Sequence, residues 1–419
     1  MQEDPMQRLS ARGAKLAGAS PMAPYILEHF ARKVDAWDAS DNAAGYIALC
    51  IAENHLMDDL LVPWLHRDAQ PPARVLAYDA MVGAQPFREQ LARFFERTFL
   101  GRRFGPEQIA TLAGAGTVLE ALFYAIGDPG DVVLVPTPSY AGFWTDLETR
   151  NALRIEPVPC SSEDGFALTI ERLDRAHAHA GGRVRALLFT NPDNPLGRVA
   201  SADDVRAIAH WAESRRIHVV FDEIYALSVF GECAFTSVAR VREELGPYVH
   251  IVWAFSKDFG ASGLRCGVLV SENEAVIRAV DSVAYWGAVS GHTQWMLGQM
   301  ISDDDFVARY THALHERLGE TYRSVAEALD TVGIPVVPAG GGIFVLCDLR
   351  RFLETPSKEA EHALWRRLVD EAGVNLTPGG ACRISEPGFF RLCYAGLPRP
   401  AVLAGIERVG RILRGAETR

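Results

Sequence analysis

Short apolar runs without a polar break recur through the middle of the chain: Val132-Val-Leu-Val135, Ala186-Leu-Leu-Phe189, Val219-Val-Phe221, Ile251-Val-Trp253 and Gly267-Val-Leu-Val270. Runs of this length, rich in β-branched residues, predict strands buried on both faces. Between them the apolar positions recur at helical spacing. Ser201-Ala-Asp-Asp204 reads as a capping-box start to a helix carrying Val205, Ile208, Ala209 and Trp211. Leu119, Leu122, Phe123 and Ile126 share one face of another helix, predicted to start near Thr117 and to end at Asp128-Pro-Gly130. This alternation implies an α/β fold, a mostly parallel central sheet flanked by helices. From about residue 305 the pattern changes to longer amphipathic helices and a few separated strands. We therefore expect a large domain at 61–304 and a smaller α+β domain at 305–419, to which residues 1–60 also contribute.

At 419 residues the chain is long enough for two such parts, and 48% apolar with 23% charged residues is an ordinary globular composition. The net charge of −11 is spread along the chain, with no basic stripe to meet nucleic acid or an anionic membrane. Met1-Gln-Glu-Asp-Pro5 is acidic and lacks an apolar stretch, and no run is long enough to span a bilayer, so a cytoplasmic protein is expected. The seven cysteines form no CxxC pair, which predicts reduced, mostly buried thiols. The twelve histidines include no HExxH, and no metal is expected.

Several segments lie at the ends of the predicted strands, where open α/β sheets hold ligands. Lys257 sits just after a strand in the glycine-rich Trp253-Ala-Phe-Ser-Lys-Asp-Phe-Gly-Ala-Ser-Gly-Leu-Arg265. Asp222 ends the strand of Val219-Val-Phe-Asp-Glu-Ile-Tyr225, where a carboxylate can pair with a cation, and Tyr225 lies three residues on. Asn191-Pro-Asp-Asn-Pro-Leu-Gly197 predicts an extended, rigid turn that aims the Asn194 amide at a ligand. Ala113-Gly-Ala-Gly-Thr117 precedes a helix, so its N–H groups and the helix dipole make an anion cradle, to which Arg265 adds a cation. Each has a plainer reading alone: a loop lysine is neutral, a strand-end aspartate caps the next segment, and Asn-Pro is a generic turn. The third glycine of a dinucleotide fingerprint and a Walker lysine are both missing. Together, however, an amine, a buried acid, polar donors and a phosphate cradle are what pyridoxal 5′-phosphate (PLP) requires.

These segments resemble the fold-type I PLP enzymes of the class I/II aminotransferase superfamily, from about residue 45 to the end. Within it the chain is most similar to 1-aminocyclopropane-1-carboxylate (ACC) synthases, on Ile51-Ala-Glu-Asn-His-Leu56, Pro136-Thr-Pro-Ser-Tyr-Ala-Gly-Phe143 and Ser385-Glu-Pro-Gly-Phe-Phe-Arg-Leu-Cys393. The resemblance implies that Lys257 anchors the cofactor as a Schiff base and carries protons, Asp222 pairs with the ring nitrogen, and Tyr140 stacks on the ring. Asn194 and Tyr225 would bond the phenolic oxygen, with Ala115, Gly116, Thr117, Ser256 and Arg265 at the phosphate. Arg391 would hold the substrate α-carboxylate, with Glu53 and Ala52 near the rest of the substrate. It further implies a homodimer acting on an α-amino acid, S-adenosylmethionine, with loss of methylthioadenosine. Ring closure, or capture of a β,γ-unsaturated species by a second co-substrate in specialised metabolism, would come next. A plain aminotransferase shares every cofactor residue. A non-catalytic regulatory protein on the PLP fold is disfavoured, since no helix-turn-helix or basic region precedes the fold.

Two positions depart from the family pattern. The family usually has Ser at the position of Ala254, bonded to phosphate. Its Tyr-His-Gly segment, whose tyrosine reaches the partner's site, aligns with Met81-Val-Gly83, and Tyr78 lies nearby but out of register.

Overall fold

A computed structural model describes residues 8–18, 20, 22–67 and 69–417; the acidic segment Met1–Pro5 lies outside them. Seven strands form the main sheet: β1 (Ile109–Leu112), β2 (Val132–Thr137), β3 (Arg154–Pro159), β4 (Val184–Thr190), β5 (His218–Asp222), β6 (Val249–Ala254) and β7 (Gly267–Ser271). Their order is β1-β7-β6-β5-β4-β2-β3, with parallel pairing from β6 through to β3 and β7 antiparallel to both its neighbours. The expected, mostly parallel sheet is present, and every apolar run read from the sequence lies within one of its strands. The edge strands β1 and β3 went unread. β3 buries only Ile155 and Val158 among Arg154, Glu156, Pro157 and Pro159, so it carries no uninterrupted apolar run.

The crossover helix Ala202–Ser214 buries Val205, Ile208, Ala209, Trp211 and Ala212. Ser201 Oγ accepts from Asp204 N at 3.1 Å, and Asp204 Oδ2 accepts from Ser201 N at 3.2 Å, the reciprocal cap that the spacing predicts. The helix expected near Thr117 begins instead at Ala115. Gly114, at φ 96°, is its N-cap, a backbone conformation that glycine adopts without strain and that starts the helix two residues early. No helix among the described residues is long and apolar enough to cross a membrane.

A smaller antiparallel sheet, β8 (Val336–Val337), β9 (Phe344–Asp348), β10 (Thr377–Pro378) and β11 (Phe389–Cys393), has the order β10-β11-β9-β8. Near the N-terminus, Ile47–Ala48 pairs in parallel with Val374–Asn375. The 28-residue helix Asp304–Thr331, capped by Asp303 on Phe306 N at 3.0 Å, precedes this sheet in the chain. It buries Phe306, Tyr310, Leu314, Leu318 and Val325 at helical spacing. Six of the seven cysteines are buried free thiols; Cys233 is exposed.

Candidate active site

The C-terminal ends of the parallel strands carry the predicted cofactor residues. Tyr140 comes just after β2, Asn194 just after β4, Asp222 is the last residue of β5, and Lys257 lies in the helical turn Phe255–Asp258 directly after β6. Facing them, β11 contributes Arg391, and the segment after Ile47–Ala48 contributes Ala52 and Glu53.

Lys257 Nζ donates to Ala52 O at 2.6 Å, while Asn54 Nδ2 donates to Lys257 O at 3.3 Å, so the 52–54 segment is tied to the lysine turn from both sides. Gly260, at φ 63°, allows this approach, because a Cβ there would strike Asn54 O. Burial pushes the Lys257 amine down to about 8, which favours the neutral, nucleophilic form. The neighbouring Asp258 is buried and fully engaged, accepting from Trp253 Nε1 at 2.8 Å, Ser228 Oγ at 2.7 Å and Leu227 N at 3.0 Å. It thereby joins the lysine turn to the segment just beyond Tyr225.

Asp222 is buried with weak partners only, Thr190 Oγ1 at 3.4 Å and Ile224 N at 3.3 Å. Burial pushes its carboxyl up to about 7, against these hydrogen bonds and the charge of Lys257. A buried acid so poorly compensated is suited to a cationic partner such as a protonated ring nitrogen. Asn194 Nδ2 lies 3.4 Å from Tyr225 OH, so the two candidate donors to a phenolic oxygen are neighbours. The Tyr140 ring, packed edge-on to Phe143 with centroids 5.3 Å apart, is 39% exposed, which leaves surface for a stacked partner.

The helix Ala115–Ile126 opens with three N–H groups, those of Ala115, Gly116 and Thr117, that make no backbone hydrogen bond among the described residues. Arg265 reaches this end, donating to Ser262 O at 2.9 Å and Ala113 O at 3.4 Å. A Cβ on Gly114 would collide with its guanidinium. Free N–H groups, a helix dipole and an adjacent guanidinium fit a phosphate, and with Lys257 and Asp222 the donor set fits PLP. Ser256 is buried in the lysine turn, where its carbonyl accepts from Ser262 Oγ at 2.9 Å. Ala254 is buried and offers no side-chain donor.

Arg391 is only 2% exposed yet well held. It donates to Asn194 Oδ1 at 3.0 Å, Cys50 O at 2.8 Å and Thr377 Oγ1 at 3.1 Å, while its Nε has no partner among the described residues. Thr377 Oγ1 donates in turn to Cys50 O at 3.1 Å. Glu53 is held below the usual carboxylate range by the His55 hydrogen bond at 3.5 Å, with the charges of His55 and Lys257 acting in the same direction. His55 also meets Asp58 Oδ2 at 3.0 Å and is pushed up to about 9, first by Glu53. Asn54, Cys50, Thr377 and Asp258 were not singled out from sequence. Of these Asn54 and Asp258 lay inside quoted motifs, and nothing in the spacing marks a backbone carbonyl or a threonine more than 300 residues from Cys50 as part of one site.

Met81 is partly buried against the cluster that holds Val82, Leu112 and Leu119, whereas Tyr78 is 96% exposed.

The pattern that defines the aminotransferase class I and II family matches residues 47–409. A 1-aminocyclopropane-1-carboxylate synthase of Glycine max is 35% identical over 412 residues, covering 94% of this chain and 85% of the relative. The 1-aminocyclopropane-1-carboxylate synthase-like protein 1 of Arabidopsis thaliana is 33% identical over 405 residues, covering 92% and 82%. Among solved structures, a double mutant of Thermus thermophilus aspartate aminotransferase superposes with a TM-score of 0.78 at 24% identity, covering 96% of this chain and 99% of that one, which shows the fold.

Proposed function

The chain belongs to the class I and II aminotransferase family and is an ACC synthase-like, PLP-dependent enzyme, and on that premise we propose that it acts on S-adenosylmethionine, removing the α-proton and releasing methylthioadenosine. The observation that carries this reading is 35% identity over nearly the whole chain to an ACC synthase.

PLP, when bound, supplies a carbonyl that exchanges amines and a ring that draws electrons from the substrate α-carbon. Asp222 would hold a proton on the ring nitrogen, and its weak existing partners leave it free to do so. Asn194 and Tyr225 would hold the phenolic oxygen, the N–H groups of Ala115, Gly116 and Thr117 with Ser256 and Arg265 would hold the phosphate, and Tyr140 would offer its ring as a stacking partner. Arg391 engages the α-carboxylate and so turns the α-hydrogen toward Lys257. The Lys257 amine, freed when the substrate amine takes its place, accepts that proton. Loss of methylthioadenosine would then need a second electron pair at Cγ: removal of a proton from Cβ would form the Cβ–Cγ double bond as the Cγ–S pair leaves on sulfur, whereas in ring closure the α-carbon pair would bond Cγ directly. Glu53, ionised and electrostatically coupled to Lys257, offers a negative charge to a cationic side chain, and Ala52 lines the same edge.

Met81, where a tyrosine is usual, favours elimination and then capture with a second substrate over ring closure. A homodimer is part of the same reading: Leu76, Tyr78, Tyr285 and Trp286 expose apolar surface of the kind that interfaces cover. So is a small domain built from residues 1–60 and 305–419, supported by the pairing of Ile47–Ala48 with Val374–Asn375. The deciding experiment incubates the PLP-loaded protein with S-adenosylmethionine and assays methylthioadenosine, ACC and keto acid. Methylthioadenosine without ACC is the expected result. A keto acid with no methylthioadenosine would replace this reading with aminotransfer, for which the cofactor residues serve equally.

A further inference from the structure

Tyr25 belongs to the helix Pro24–Arg32, far in sequence from every residue of the site, and it is 4% exposed. Its helix is anchored on one side. Arg32 donates to Asp370 Oδ1 at 2.6 Å and to Val369 O at 3.3 Å, and Arg366 donates to Glu28 Oε2 at 2.9 Å. Asn375 Nδ2 donates to Tyr25 O at 2.9 Å and, at the same distance, to Tyr46 OH, which fixes the tyrosine backbone against the Val374–Asn375 pair. The ring is part of the main hydrophobic core.

The hydroxyl has no hydrogen-bond partner among the described residues, although the side chain is buried. The groups that act on it electrostatically are Arg391, Cys382, Tyr140 and Cys50, all of them at the substrate end of the cleft. Arg391, for its part, has a buried Nε with no partner among the described residues. Asn375, which holds the Tyr25 backbone, lies two residues before Thr377, which accepts from Arg391 Nη2 at 3.1 Å, so tyrosine and arginine hang on one short segment, and an anionic group bound at the unpartnered Nε would offer the phenol an acceptor.

We propose that Tyr25 is a substrate-positioning residue whose phenol donates to the α-carboxylate held by Arg391. The proposal rests on Arg391 as the carboxylate anchor and not on the identity of the substrate side chain. Burial pushes the phenol up, against the pull of Arg391, so it stays protonated and able to donate throughout the physiological range. The contact also makes the N-terminal helix part of substrate recognition, because the tyrosine reaches the site only while that helix is docked.

The test uses the PLP-loaded protein and monitors the cofactor absorbance on titration with L-methionine and with 3-(methylthio)propylamine, the same molecule without its carboxylate. Tyr25→Phe keeps the ring and its packing. It is expected to weaken L-methionine about tenfold, the scale of a hydrogen bond to a charged group, and to leave the amine unchanged. Tyr25→Ala, which also removes the packing, should weaken both. Equal weakening of both ligands by Tyr25→Phe, or no weakening of either, would overturn the proposal. A wild-type protein that does not prefer the amino acid to the amine would overturn the role of Arg391 and this proposal with it. Loss of discrimination in Tyr25→Phe, combined with no methylthioadenosine from S-adenosylmethionine, would remove the proposed substrate and leave Tyr25 in place.

Discussion

On one wall of the cleft, Tyr140, Asn194, Asp222 and Lys257 sit at or within four residues of the ends of successive strands of a single sheet. The opposite wall is gathered from Cys50, Ala52, Thr377 and Arg391, spread over more than 300 residues. The walls also differ in how their charges are met. Asp222 is buried and Lys257 part-buried, and both are under-compensated, the amine pushed down to about 8 and the acid up to about 7, both first by desolvation. Arg391 already has three acceptors, while its Nε has none among the described residues. Unmet charge on one wall stores reactivity, because a bound group of opposite character relieves it. Charge already held by neutral acceptors on the other wall gives a rigid anchor that orients a ligand and takes no part in bond making.

If that division holds, damage to the reactive wall should abolish chemistry and damage to the anchoring wall should weaken binding. Lys257→Ala is expected to remove the visible absorbance of the lysine-bound cofactor and all turnover; an active variant would end the assignment. Asp222→Asn keeps shape and loses the charge, and kcat should fall by about 10²-fold, the scale of one preorganised electrostatic contact, with KM changed far less. The pH dependence of cofactor capture probes the same wall. A lysine pushed down by burial turns neutral at lower pH, so the rate at which cofactor-free protein takes up PLP should climb about tenfold from pH 7 and level off above about 8. A rate still climbing at pH 10 would mean the amine is not desolvated. On the anchoring wall, Thr377→Val removes one acceptor from Arg391 and should raise KM about fivefold at nearly constant kcat.

The reactive wall was legible in the sequence at Asn194, Asp222 and Lys257, because each comes at or just after the end of a strand marked by an uninterrupted apolar run, whereas Tyr140 came from the resemblance to ACC synthases. The anchoring wall was legible only in part. Arg391 and Glu53 came from the resemblance to ACC synthases. Cys50 and Thr377 act through a backbone carbonyl and a hydroxyl whose positions are fixed by long-range pairing, and Tyr25 acts across a helix docked by ion pairs. None of these leaves a mark in local spacing. The edge strand β1 escaped for a different reason: Ile109-Ala-Thr-Leu112 is short and carries a threonine, so its burial comes from the neighbours Leu269 and Val270 and not from its own composition. The start of the phosphate helix was misjudged because a glycine N-cap, here Gly114, is marked more weakly than serine or aspartate would be.

Ala254 tests whether the reactive wall is short of one donor. It is buried, extended at φ −154° and ψ 156°, and forms the N-cap of the turn that carries Lys257. Its partner across the sheet is Gly267, and a Cβ on Gly267 would strike the backbone at Gly114 and Ala115, which places Ala254 beside the cradle. A serine there can accept from the turn's own N–H groups while its proton points to a phosphate oxygen. Ala254→Ser should therefore lower the PLP dissociation constant about fivefold, the worth of one hydrogen bond of about 1 kcal/mol. It should leave kcat nearly unchanged, since the cradle takes no part in proton transfer. The cofactor-free protein separates the two possible uses of the hydroxyl. A higher Tm without tighter PLP binding would mean that the serine only caps the turn, and that Arg265 with the N–H groups of Ala115, Gly116 and Thr117 already saturates the phosphate. Tighter binding would mean that this chain works with a deliberately looser cofactor site, compensated on the same wall by the depressed lysine that closes the covalent bond.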